Sequence, residues 1–344
     1  MLTGTYTALI TPFSEGRVDE KGLESLTDFQ IAGGISGILA VGTTGESPTL
    51  TWEEHLEVVE ITARRAGQKT RVIAGTGSNN TAEAMEGTRH ARQAGACAVL
   101  LVDPYYNGPS SLEIRKEYVS PVAAAFPDME VIPYVIPGRT GTQMMPEDLA
   151  LLFQEHKNVS TVKEATGDLS NMARTRSLCG PDYSILSGDD PLTIAMMNDP
   201  GIRAQGAISV MSNIAPKAVT DMVSAALAGD FDRAVKIEQA LKPLFSVVTV
   251  TTMEESGLGP VKCRARNPLA VKTLMAVLGM PAGPCRRPLG RMTAKGLSVL
   301  LSAARTVLEK DPWVYEPLVA QFGVNVEECL HAKNLEATYA YPGY

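Results

Sequence analysis

VSTVKEATGDL, residues 159–169, places an ammonium, Lys163, directly after an alternating β-branched run that reads as a buried strand. Lysine is among the residues least often fully buried, so Lys163 is paired, reaches solvent by its own length, or is there for chemistry. The neighbouring Glu164 offers the plain reading, a solvated ion pair at a strand end. The choice depends on what the rest of the chain gathers around this position.

On either side, short runs rich in Val, Ile, Leu and Ala recur with helical stretches between them. Together with VSTVKEA (159–165), the strands read as TALITPF (7–13), GILAVG (37–42), RVIAGTG (71–77), CAVLLVDPY (97–105), EVIPYVIP (130–137), YSILSG (183–188) and QGAISV (205–210), eight in all. Amphipathic segments such as DEKGLESLTDFQIAG (19–33), TWEEHLEVVEITARRAG (51–67), TAEAMEGTRHARQAG (81–95) and MPEDLALLFQEHKN (145–158) lie between them. Several open on a hydroxyl residue with Glu in the first turn, and several close on Gly, as helix caps do. Alternating β and α units with nearly continuous apolar strands imply a parallel sheet covered by helices, and eight of them favour a closed (β/α)8 TIM barrel.

From about 230 onward the strand pattern stops. Helices are expected over 231–248, 267–279 and 293–310, with shorter ones around 313–323 and 325–334. The division that follows is a barrel over 1–229 carrying the active site, a C-terminal helical domain over 230–310, and an extension over 311–344 to which the sequence assigns no role.

Composition narrows the function. The 344 residues are 44% hydrophobic and 20% charged, enough for a sizeable core. A net charge of −7 leaves no electrostatic footprint for nucleic acid or an anionic membrane, so small-molecule partners are expected. No apolar run approaches the ~20 residues of a membrane helix, and MLTGTYTALITPF lacks the layout of a signal peptide, which together place the protein in the cytoplasm as an expectation. The five cysteines are scattered without CxxC spacing and read as reduced thiols, while the four histidines form no ligand-spaced pair, so no metal site is expected.

In such barrels the active site is built by the loops at the C-terminal ends of the strands. Those ends carry GTTGES (42–47), DPYYNGPS (103–110), Tyr134 with Arg139 just beyond, Lys163, and SGDD (187–190). Singly, each has a plain alternative: a tight turn, packing tyrosines, a surface cation, a helix cap. On one barrel face they form the parts of an imine reaction. A lysine desolvated by apolar neighbours is neutral often enough to attack a ketone, a tyrosine hydroxyl on the adjacent strand moves protons, and a threonine with a second tyrosine relays them to solvent.

With GTTGES, DPYYN, Tyr134, RTG and VKEATGD in this order, the chain resembles the dihydrodipicolinate synthase family, within the N-acetylneuraminate lyase superfamily of class I aldolases, from about residue 3 to residue 305. The resemblance implies a homotetramer made of two tight dimers, and an imine between Lys163 and pyruvate with no separate cofactor. Tyr134, Thr43 and Tyr106 would form the proton relay, with Tyr106 reaching into the neighbouring subunit's site. Thr44 would hold the pyruvate carboxylate, Arg139 the carboxylate of the incoming aldehyde, and Gly188 and Ile208 would line the pyruvate pocket through their carbonyls. The implied reaction condenses pyruvate with L-aspartate 4-semialdehyde in the lysine branch of diaminopimelate biosynthesis.

Two departures from the family pattern, Val135 and Gly138, are read as lying beside the acceptor pocket, and the segment 247–266 is longer than usual. A lysine effector pocket would be lined by Ser47, Trp52, His55, Asn79, Glu83 and Tyr105, although several of these also suit capping or packing near helix starts. Two other functions stay open: a related pyruvate-dependent aldolase acting on another aldehyde, and a catalytically silent paralogue that binds a 2-oxo acid. Retention of the lysine, both tyrosines and both threonines argues against silence, because a sensor needs the pocket but not the full relay.

Overall fold

The structure, a computed structural model, describes all residues 1–344. Eight parallel strands close a barrel in sequential order: β1 (Gly4–Ala8), β2 (Gly37–Ala40), β3 (Arg71–Gly75), β4 (Ala98–Val102), β5 (Glu130–Val135), β6 (Thr161–Glu164), β7 (Ser184–Ser187) and β8 (Gly206–Ser209). β1 closes the ring by pairing with both β8 and β2. Seven strands lie within the expected runs, whereas the first starts and ends earlier than 7–13. Its ladder cannot continue through Pro12, which has no N–H to give. Phe13–Ser14 instead turns back on Arg17–Val18 across Glu15 and Gly16, both at positive φ (50° and 79°).

Successive strand residues face opposite sides, and the two sides separate into two cores. Tyr6, Leu39, Ile73, Leu100, Ile132, Tyr134, Leu186 and Ile208 fill the barrel interior. The intervening positions pack outward beneath the helices in the main cluster. Local sequence sets the helix starts: Asp19 caps Glu20–Ala32, and Thr51 with Glu54 forms a reciprocal capping box on Trp52–Ala66.

After the barrel, helices Phe231–Phe245, Leu269–Val277 and Ala294–Lys310 match the expected three. The strands do not stop at 230, however. β9 (Thr249–Ser256) and β10 (Gly259–Arg266) form an antiparallel hairpin, paired from Thr249↔Arg266 to Ser256↔Gly259. The hairpin is the structure of the long segment 247–266. It rests on the start of the Ala294–Lys310 helix through Lys295, whose Nζ donates to the Met253 carbonyl at 2.7 Å. The tail folds into Glu316–Phe322, Val326–Leu330 and Leu335–Tyr339, and Phe322 meets Phe29 edge-on at 5.2 Å. No helix is long and apolar enough to cross a membrane.

Candidate active site

Lys163 stands in register with Tyr134 on one side and Leu186 on the other, so it shares their inward face. It is 4% exposed, and its Nζ lies 4.1 Å from the centre of the Tyr134 ring. Burial pulls its pKa down to about 8, against the nearby charges of Asp189 and Asp190, which favour the ammonium, and with Arg139, which disfavours it. Glu164 is no partner for it. One position on, that side chain faces the outer layer, where it accepts the Thr166 N–H at 2.7 Å and the Asn171 amide at 3.3 Å. Burial pushes its pKa up to about 7. The plain reading of Lys163 as half of a solvated ion pair is therefore overturned.

Gly188 packs on the lysine: a Cβ there would sit 3.1 Å from Lys163 Cε and 2.8 Å from Ala165 Cβ, so only glycine leaves that space open. Ile208 is fully buried on β8 within the interior cluster. Tyr134 is held up to a pKa of about 12 by burial, while the Arg139 charge and the nearby Thr43 side chain act downward.

Thr43 and Thr44 sit in the GTTGES turn, where Gly45 N–H bonds the Gly42 carbonyl at 3.0 Å and Val41 and Glu46 adopt positive φ (50° and 58°). The turn is pinned from outside. Thr11 donates to the Gly45 carbonyl at 2.7 Å, and the Glu46 carboxylate accepts from Lys272 Nζ at 2.5 Å and from the Arg286 N–H at 2.9 Å. Thr44, 2% exposed, accepts at its Oγ1 the Asn267 amide at 2.9 Å. Arg139 donates to the main-chain carbonyl of the same Asn267 at 2.9 Å. A cavity of about 200 Å³ opens between Thr43, Tyr105, Tyr134, Arg139 and Thr140.

Tyr106, expected to reach a neighbouring subunit's site, is 85% exposed and does not line this chain's cavity, whereas Tyr105 does. Val135, read as a neighbour of the acceptor pocket, is fully buried in the outer cluster, because it alternates with the inward Tyr134. That departure belongs to the helix layer. Gly138 is exposed, and its carbonyl accepts from Arg266 of β10 at 3.1 Å.

The six residues Ser47, Trp52, His55, Asn79, Glu83 and Tyr105 line a second cavity of about 240 Å³, and Ser47, Pro48, Gly77 and Tyr105 also wall the first. His55 is pushed down to a pKa of about 4 by burial, and its ring lies 5.3 Å from that of Trp52. Ser78 donates to Glu83 at 2.5 Å, and Asn79 accepts the Tyr105 N–H at 2.7 Å.

The roles of two groups at the site escaped the reading of motifs. Asp189, read within SGDD with a turn or helix cap as its plain alternative, acts electrostatically on both Lys163 and Tyr134, whereas its neighbour Asp190 does hold a loop, accepting the Val210 and Met211 N–H groups at 2.9 and 3.0 Å. Asn267 is the other; only its approach to Thr44, 223 positions away, reveals it.

The sequence pattern of the dihydrodipicolinate synthetase family matches residues 1–305. This chain belongs to that family. A 4-hydroxy-tetrahydrodipicolinate synthase from Methanococcus maripaludis is 40% identical over 302 residues, 88% of this chain and 97% of that one. The crystal structure of dihydrodipicolinate synthase from Aquifex aeolicus superposes with a TM-score of 0.81 at 38% identity, covering 92% of this chain and all of the other. The enzyme of the family from Cyanidioschyzon merolae, solved with lysine bound, superposes with a TM-score of 0.80 at 34% identity, covering 89% of this chain and 98% of its own. The family pattern stops at residue 305, so the tail from Asp311 lies beyond it.

Proposed function

We propose that the chain condenses pyruvate with L-aspartate 4-semialdehyde to 4-hydroxy-tetrahydrodipicolinate, in the lysine branch of diaminopimelate biosynthesis. The observation that carries this reading is Lys163: a buried amine with its pKa drawn down to about 8, against Tyr134, in a chain of this family. The Lys163 amine attacks the pyruvate ketone, and water leaves as the iminium forms. The iminium withdraws electrons, so the methyl group loses a proton to give an enamine. Its carbon then forms the new bond to the aldehyde carbon, whose oxygen takes up a proton. The amine of the acceptor attacks the iminium carbon, closes the ring and expels Lys163. The electron sink is the substrate's own imine, so the steps call on no resident cofactor.

Tyr134 and Thr43 move the protons, and Tyr106, exposed on this chain, completes the relay in the site of a neighbouring subunit of a homotetramer built from two tight dimers. Thr44 holds the pyruvate carboxylate. Arg139 holds the acceptor carboxylate with guanidinium N–H groups left over after its bond to Asn267. Gly188 and Ile208 line the pyruvate pocket. In this reading the enzyme acts in the cytoplasm.

The test is the initial rate with both substrates, coupled to a reductase that consumes the product, with borohydride trapping of pyruvate in parallel. Wild-type protein is expected to turn over and to be trapped at Lys163. Lys163→Ala is expected to lose both, by at least about 10³-fold in rate, with an unchanged melting temperature. Trapping without turnover would assign the protein to another aldehyde acceptor.

The second cavity supports L-lysine as an effector. Glu83 supplies a carboxylate for an ammonium, Trp52 an apolar face for an alkyl chain, and the wall shared with the active cavity gives occupancy a route to Thr43 and Tyr105. Millimolar L-lysine is expected to lower the rate, and Glu83→Gln to raise the half-inhibitory concentration by about tenfold or more. An unchanged rate across that range would end this reading.

A further inference from the structure

We infer that Asn267 is a positioning residue that aims the Thr44 hydroxyl at the pyruvate carboxylate; this rests on the role proposed above for Thr44. Asn267 follows β10 directly and is 7% exposed. Its Nδ2 donates to Thr44 Oγ1 at 2.9 Å. A hydroxyl has one proton and two lone pairs, so an oxygen receiving an N–H keeps its own proton for another acceptor. No protein group takes that proton or the Thr44 main-chain N–H. Both donors are therefore left for a ligand.

The amide presents its Nδ2 to Thr44. Asn267 Oδ1 is buried without a partner. Turned over, the amide would present its oxygen to Thr44 and leave both N–H groups unpaired, in place of the carbonyl and one N–H. The Thr44 proton would then be spent within the protein.

Asn267 also meets Arg139, but through a different group: the guanidinium bonds its main-chain carbonyl at 2.9 Å. One residue thus supports both carboxylate holders, Thr44 by its side chain and Arg139 by its backbone. Changing the side chain separates the two functions. A loss confined to pyruvate is the signature of positioning, because a general loosening of the site would weaken both substrates.

The experiment compares wild type, Asn267→Leu, Asn267→Asp, Thr44→Val and the double variant N267L/T44V by kcat, by KM for each substrate, and by the pyruvate concentration that half-saturates borohydride trapping. Leucine removes the amide donor, and aspartate presents an acceptor that draws the Thr44 proton away. The expected rise in pyruvate KM is about threefold to tenfold for N267L and about tenfold or more for N267D. For N267L, kcat and the aldehyde KM are expected to stay within about twofold, and the double variant to be no worse than T44V alone. Equal rises in both KM values, a fall in kcat at unchanged KM, or multiplying effects in the double variant would overturn the inference. If N267L does not fold, the near-isosteric N267D decides by the same pyruvate readouts. An unchanged pyruvate KM in T44V would instead strike the role of Thr44, and the inference with it.

Discussion

An ordinary lysine, with a pKa near 10.5, is neutral in only about one molecule in three thousand at pH 7, and a lysine with a pKa of about 8 in roughly one in ten. Burial of Lys163 therefore raises the supply of neutral amine by more than two orders of magnitude. Because burial penalises the charged form, the neutral amine is the species that accumulates as pH rises through about 8. The rate of imine formation, read by borohydride trapping at subsaturating pyruvate, is expected to climb with pH and level off above that value. Asp189 works in the opposite direction by stabilising the ammonium. Asp189→Asn is expected to move the climbing limb to lower pH, by up to about one unit, with the plateau retained. A shift to higher pH would show that Asp189 acts on the site other than through its charge on Lys163.

At the scale of elements, the barrel is legible because each strand has to satisfy two apolar layers. Tyr134 and Leu186 face inward while Val135 and Ile185 face the helices, which produces the nearly continuous apolar runs found along the chain. The same alternation explains the misplaced reading of Val135, since neighbouring strand residues never share a face. The hairpin β9–β10 is hard to read for the opposite reason. Its residues are mostly exposed or half-buried, and its two buried positions are Val250 and the polar Glu254, so no apolar period marks it. GTTGES is recognisable as a turn, but its supports are not local. Glu46 meets Lys272 from 226 positions away, both almost fully buried, with the ammonium also bonded to the Thr11 carbonyl and 4.2 Å from the centre of the Phe13 ring. Removing one partner of such a pair leaves an uncompensated charge, at a cost of about 3–5 kcal/mol. The helix Leu269–Val277 and Asn267 just before it thereby hold the turn at two points, Glu46 and Thr44. Only folding brings the two segments together, which is why the motifs reveal Thr43 and Thr44 but not what orients them.

For the whole molecule, the question is whether residues 311–344 are an appendage or part of the core. Tyr315, Leu318, Val326, Leu330 and Ala340 belong to the same cluster of 82 buried residues that underlies the barrel helices. Tyr315 bonds the Ala304 carbonyl at 3.1 Å, Arg305 donates to the Leu330 carbonyl at 2.6 Å, and Phe322 closes on Phe29 of the first barrel helix. Full burial of a large apolar side chain contributes about 1.5–3 kcal/mol. Removing several at once, and baring the surface they cover, is comparable with the 5–15 kcal/mol by which a typical domain is stable. A chain ending at Lys310 is accordingly expected to melt roughly 10 °C or more below the 344-residue chain, or not to fold at all. One ending at Tyr341 loses only three exposed residues and keeps the Tyr341 N–H on the Met292 carbonyl, so its melting temperature should be unchanged. Thermal unfolding of the three lengths decides the matter: equal melting of the 310- and 344-residue chains would mean that the barrel closes its core without the tail, and a drop only in the shorter one that the tail is the outer wall of the barrel's own core.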